Sequence, residues 1–221
     1  MILYHGSDKI IEQPKYRGGK DNNDYGYGFY CTEYPELARE WAVTSERDGF
    51  INSYELDVNG LNILRLENYS VLTWLSILLV NREFLVDTPL SREAKRYIVN
   101  EFGIDYSKYD IIIGYRADDS YFTFAQDFLR NVISYEQLSK AMHFGELGDQ
   151  VVLKSELAFS RIQFLSNEAV LRQDWLEKKI NRDMRARKAY YSIDKNAYVP
   201  NSLYVMQIID EEMKRDDPRL R

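Results

Sequence analysis

The sequence predicts an α+β fold, and three observations predict it. Short runs rich in β-branched and aromatic residues, at 2–7, 29–32, 51–58, 110–115 and 151–154, have strand character. Longer stretches with apolar residues at helical spacing open at Pro35, Pro89 and Ser134. The two kinds follow one another in mixed order and not in strict β-α alternation, which suits strands packed as two small sheets with helices around them. At 221 residues the chain has the length for one sizeable domain and a small appendage.

Taken in order, Ile2-Leu3-Tyr4-His5-Gly6-Ser7 is an apolar strand ending in one of the two histidines and a glycine. Residues 8–23 are polar, with Pro14, Gly18 and Gly19, and predict a loop able to fold over a ligand. Gly26 and Gly28 stand among aromatic residues just before the Phe29–Thr32 strand. Such glycines allow a ligand or another backbone to approach closely, and serve equally to shape a turn. Pro35 opens a helix carrying Leu37, Trp41 and Ala42. Residues 51–58 predict a strand, Asn59-Gly60 a hairpin turn, and 61–66 the returning strand. An apolar helix is predicted over 67–86 and another from Pro89 to about Phe102, closed by Gly103. After the 110–115 strand come helices over 121–132 and from Ser134, where Gln137 completes a capping box. Strands are then predicted at 151–154 and 157–165. From Asn167 a basic helix with Lys178, Lys179, Arg182, Arg185, Arg187 and Lys188 is predicted, then a second helix over about 200–214. The basic stretch reads as a solvated face or as a site for an acidic partner.

The net charge of −6 argues against a sequence-independent nucleic-acid binder. Cys31 is the only cysteine, which excludes an internal disulfide and a thiolate cluster; inside an aromatic strand it reads as an inert thiol or, less simply, as a nucleophile. The most apolar stretch, Val71–Val80, is too short to span a bilayer and is interrupted by Thr73 and Ser76. With no signal-peptide pattern, a cytoplasmic protein with no membrane contact is expected. His5 and His143 are far apart in sequence, so no metal site is expected.

Tyr4-His5-Gly6-Ser7, then Gly26-Tyr27-Gly28-Phe29-Tyr30, then Trp41 eleven residues past Tyr30, resemble in order and spacing the His-Tyr-aromatic half of the ADP-ribosyltransferase superfamily. The resemblance is to its diphtheria-toxin and poly-ADP-ribose-polymerase branch, and within it to an uncharacterised bacterial group. It implies an ADP-ribosyltransferase-like split β-sheet core over residues 1–166 and NAD as co-substrate, and leaves the C-terminal quarter unaccounted for; the change of character from Asn167 predicts a helical extension over 167–221. It further implies that the Gly6 backbone holds the nicotinamide carboxamide and that His5 bonds the adenosine-side ribose. Tyr30 and Trp41 would sandwich the nicotinamide ring, and Ser7 and Gly28 would complete the NAD-binding set. By themselves Tyr30 and Trp41 are equally compatible with ordinary core packing.

The sequence departs from the pattern at the third element. The active branch carries a glutamate just before its last conserved strand. Val151-Val152-Leu153 matches that strand, and the residue before it is Gln150. Glutamine can bond a ribose hydroxyl but brings no charge. Losing such preorganised stabilisation costs on the order of 3 kcal/mol in barrier. Asp118 and Asp119 are the expected substitute acids, with Glu146 and Asp149 also nearby in sequence; adjacent aspartates in a turn serve equally as caps. Two functions are therefore expected. One is an NAD-dependent mono-ADP-ribosyltransferase or NAD glycohydrolase with an unknown protein or nucleic-acid acceptor, toxin-like or otherwise. The other is a binding module of the same fold that holds NAD or ADP-ribose and works through partner contacts. A Tyr-rich structural protein requires the His5, Gly6, Gly28, Tyr30 and Trp41 pattern to be coincidence.

Overall fold

Among the described residues, seven strands form two small sheets. They are β1 (Ile2–Ser7), β2 (Phe29–Cys31), β3 (Gly49–Leu56), β4 (Ile63–Arg65), β5 (Ile111–Tyr115), β6 (Asp149–Leu153) and β7 (Ile162–Val170). Their order is β1-β3-β7 in one sheet and β2-β6-β5-β4 in the other. The computed structural model describes residues 1–117, 119–142, 148–192 and 199–220, with 119–121 described by backbone alone. Its helices are α1 (Pro35–Ala42), α2 (Val71–Asn81), α3 (Pro89–Phe102), α4 (Asp119–Leu129), α5 (Tyr135–Ala141), α6 (Glu156–Ser160), α7 (Arg172–Tyr191) and α8 (Val205–Asp210). The class is α+β.

The chain divides into two compact units, each woven from three segments: Met1–Arg65, Tyr106–Arg116 and Leu147–Met184 in the first, and Leu66–Asp105, Ala117–Glu146 and Arg185–Arg221 in the second. Both sheets belong to the first. Leu3, Phe29, Cys31, Tyr54, Leu56, Ile111, Ile113, Val151 and Leu153 form its core. Each strand contributes alternate residues to that core, so the residues between them face the other way. There α1 packs Ala38 and Ala42 against Ile51, Val170 and Tyr4. Pro35 starts this helix without a side-chain cap, its fixed φ being preset for the first turn. The helix lies directly on the strand backbones. A Cβ at Gly6 would stand 1.9 Å from the Ala38 carbonyl oxygen, and one at Gly49 2.1 Å from that of Ala42.

The second unit is helical. Ser70 caps α2, and every residue from Val71 to Leu79 is buried, as expected of a helix apolar on all sides. Capping boxes Thr88–Ser91 and Ser134–Gln137 start α3 and α5, the latter as the sequence predicts.

Five expectations differ from the structure. Asn59-Gly60 makes a turn, with Gly60 at φ 73°, but no hairpin: β3 pairs with β1 and β7, while β4 runs parallel to β5 in the other sheet. The turn obeys local chemistry, whereas the partner is chosen by the apolar match of Ile63 and Leu64 with Ile111 and Ile112. The helix expected over 67–86 begins only at Val71, where the Ser70 hydroxyl accepts from Leu72 N–H, and ends at Asn81. The strand expected over 157–165 opens instead as α6, because Ser155 Oγ accepts from Ala158 N–H at 3.1 Å. The strand proper is β7, which runs to Val170, so the boundary expected after residue 166 falls inside a strand. The helix expected over 200–214 is confined to α8.

Candidate functional site

β1 and β2 meet at one antiparallel bridge. Tyr4 N–H donates to the Thr32 carbonyl at 2.8 Å, and Thr32 N–H to that of Tyr4 at 2.9 Å. A continuing ladder would next join Gly6 to Tyr30. Instead, His5 Nδ1 lies 2.7 Å from the Tyr30 carbonyl oxygen. A carbonyl only accepts, so Nδ1 carries the proton and Nε2 remains an acceptor. Burial holds the His5 imidazole below its ordinary value of 6.5, against the smaller opposing effect of the Tyr30 bond, so the ring is neutral at pH 7.

The consequence falls on Gly6. Odd-numbered residues of β1 bond to β3, beginning with the Met1 carbonyl that accepts from Leu56 N–H at 2.8 Å. The Gly6 N–H and C=O therefore point away from β3, to the side where β2 has been diverted. Among the described residues, β2 supplies no partner to either. One donor and one acceptor are presented there at strand spacing.

On the face of β1 that carries Leu3 and His5 opens a cleft of about 590 Å³, a size suited to a small organic ligand. His5, Gly28, Phe29 and Tyr30 line it on one side, with the His5 and Phe29 rings 4.5 Å apart. Lys9, Ile10, Ile11, Glu12, Gln13, Pro14, Lys15, Gly18, Gly19 and Asn23 line it on the other. The polar loop over 8–23 is thus a cleft wall. Its first turns are tied down by β3. Fully buried Asn52 donates toward His5 O, Ser7 Oγ and Lys9 O at 3.2–3.3 Å and accepts from Ile11 N–H at 2.9 Å, while Tyr54 OH donates to Ile11 O at 2.5 Å.

Tyr30 is fixed at its far end. Its hydroxyl donates to Gly26 O at 2.6 Å and accepts from Tyr25 N–H at 3.1 Å. Tyr25 OH donates to Tyr115 O at 2.6 Å, and Lys154 Nζ donates to the carbonyls of Tyr25 and Tyr27. Burial pushes the Lys154 ammonium down to about 8. Gly26, at φ 70°, makes the turn that this clamp needs. The close approach allowed at Gly28 is taken up by Val152, whose Cγ1 lies 2.5 Å from where a Cβ would stand.

The structure brings together part of the expected set. By strand alternation Tyr30 and Gln150 share the face opposite the Phe29–Val151 core. Gln150 is buried; its Nε2 donates to Asp24 Oδ2 at 3.3 Å, and its Oε1 has no partner. Ser7 Oγ is engaged locally, donating to Lys9 O at 2.5 Å. Trp41 does not line the cleft: the Arg116 guanidinium lies 4.9 Å over its ring, and its indole nitrogen is buried without a partner. Asp118, Glu146 and His143 lie outside the described residues, as does the Asp119 side chain. Among the described residues, no group of three or more His, Cys, Asp or Glu could hold a metal ion, and no helix is long and apolar enough to cross a membrane. Cys31 is buried, and burial pushes its thiol well up, which makes it inert. The basic residues of α7 are partly used within the first unit, Arg182 pairing with Glu40 at 3.0 Å and Lys179 donating to Val43 O at 2.8 Å.

Two residues at the site carry no sequence motif, Asn52 and Asp24. An asparagine inside a predicted strand, at a position alternation assigns to the interior, was the one available signal for Asn52. Asp24 is 5% exposed yet sits in a Gly- and Asn-rich stretch that reads as solvated.

Over residues 1–164 the chain matches the family described as "Protein of unknown function (DUF3990)", and it belongs to that family. No curated protein and no solved structure matches it.

Proposed function

We propose that this DUF3990 member binds NAD in an ADP-ribosyltransferase-like split-sheet fold and transfers its ADP-ribose to an acceptor or to water. It would act as a mono-ADP-ribosyltransferase or NAD glycohydrolase, in the cytoplasm. The observation that carries the reading is the donor and acceptor of Gly6, to which β2 supplies no partner among the described residues because His5 takes the Tyr30 carbonyl. A primary carboxamide offers one acceptor and N–H donors, and so fits that edge as a second strand would. Neutral His5, with Nε2 as acceptor, suits a ribose hydroxyl in the adjoining cleft. The clamped Tyr30 ring supplies a fixed stacking face.

Gln150 favours a second reading, a module that binds NAD or ADP-ribose without turning it over, since a neutral amide does little for an oxocarbenium-like charge. Calorimetric titration of NAD into the protein, with free nicotinamide assayed in the same cell, separates the two. Binding with release of nicotinamide above the blank is the result expected of an enzyme. Heat without release supports the module, and no heat at all removes NAD from both.

A further inference from the structure

We infer that Asp24 is the source of negative charge that the Gln150 position lacks, acting as a positioning residue through the Gln150 amide; this rests on the NAD-cleaving reading above. Asp24 is a buried carboxylate in the first unit, 5% exposed, and Gln150, 6% exposed, donates to it through Nε2 at 3.3 Å. The carboxylate accepts only, so it decides which end of the amide faces it. Oε1 is thereby committed to the other direction, and it is buried with no partner. A buried carbonyl oxygen without a donor costs stability and is rare, which marks it as an acceptor awaiting a hydroxyl.

The Asp24 backbone is held in place by its neighbour. Tyr25, the next residue, is bonded at its N–H, its carbonyl and its hydroxyl to Tyr30, Lys154 and Tyr115. By register Tyr30 stands opposite Val152, and Gln150 is two residues further along β6, on the order of 7 Å, on the same face. The acceptor oxygen and the ring that would stack nicotinamide therefore face the same side.

In the reaction, the bond between C1′ of the ribose and the nicotinamide nitrogen breaks. The nitrogen keeps the electron pair and leaves as neutral nicotinamide. Positive charge develops at C1′ until the lone pair of a water or acceptor nucleophile forms the new bond, its proton passing to solvent. Gln150 Oε1 accepts from a ribose hydroxyl, and the carboxylate behind the amide makes that oxygen more negative.

The test is nicotinamide release by the full chain and by Asp24→Asn, Gln150→Glu and the double variant, with melting temperature as the folding check. In Asp24→Asn the amide of Gln150 loses the carboxylate that orients it. The rate is expected to fall on the order of 100-fold with KM changed only a few-fold, and the double variant, which returns one carboxylate, is expected to recover most of the rate. A rate within about threefold of wild type in Asp24→Asn, or no recovery in a folded double variant, overturns the inference while the NAD reading stands. Should Asp24→Asn fail to fold, Gln150→Glu decides. With Asp24 already supplying the charge, a second carboxylate beside it shares its proton and gives no gain, so an increase on the order of 100-fold overturns the inference. A wild-type protein that neither binds NAD nor releases nicotinamide takes both readings down together.

Discussion

His5 shows how one side chain can interrupt a strand pairing. By donating Nδ1–H to the Tyr30 carbonyl it takes the acceptor that a continuing β1–β2 ladder would use, and among the described residues β2 supplies no partner to the peptide groups of Gly6. His5→Ala and Tyr30→Ala are each expected to abolish nicotinamide release and to weaken NAD binding in calorimetry; wild-type affinity in either would contradict the assignment. The same histidine gives a pH dependence. Its folded value lies below 6.5, so the unfolded chain binds the proton more tightly and stability is lost as pH falls through 6.5 toward the folded value. Melting temperatures taken from about pH 7 to about pH 5 should drop less steeply for His5→Ala than for wild type. Lys154 acts in the alkaline range. With its folded value at about 8 against an ordinary 10.5, the unfolded chain holds the extra proton across that window and stability rises with pH there. Lys154→Met should remove that rise, and an unchanged rise would assign it to another group.

At the scale of elements, the cleft depends on how tightly α1, β1 and β3 fit. Gly6→Ala would drive a Cβ into the Ala38 backbone, 1.9 Å away, where no side-chain rotation can relieve it. The expected loss is about 1–3 kcal/mol in denaturant unfolding, and a wild-type midpoint would show that α1 sits further off than described. Asn52→Ala strands Ile11 N–H and the Lys9 carbonyl; roughly 1–3 kcal/mol is expected, along with faster amide exchange at Ile11. Much of this level was legible in the sequence. Strand runs, the Pro35 start and the Ser134–Gln137 box depend on near neighbours, and the structure has them where the spacing put them. The Asn59-Gly60 hairpin and the 157–165 strand were misread because partner choice and helix starts there are settled by contacts distant in sequence or by one hydroxyl, that of Ser155. The site divides in the same way. His5, Gly28 and Tyr30, singled out by sequence motifs, line one cleft, whereas Asn52 and Asp24 bond to partners 41 to 126 residues away, which no local pattern encodes.

For the whole molecule, the weave of the chain decides what can be separated. Each compact unit draws on three segments, and β7 reaches Val170, where it pairs with Gly49. A chain ending at residue 166 loses the partners of Gly49–Asn52, including the strand behind the Asn52 bonds that hold the cleft wall. It is expected to unfold without a cooperative transition by circular dichroism, and a sharp transition would show that the family-matched stretch is self-sufficient. The central claim remains that the open Gly6 peptide receives a carboxamide. Its most direct test is the Gly6 amide signal in a 15N-labelled sample titrated with NAD and, separately, with the analogue whose carboxamide is a carboxylate. NAD should shift Gly6 strongly, while the analogue, which has no N–H for the Gly6 carbonyl, should bind more weakly and shift it less. Equal binding of the two, or NAD binding that leaves Gly6 unmoved, would contradict the account.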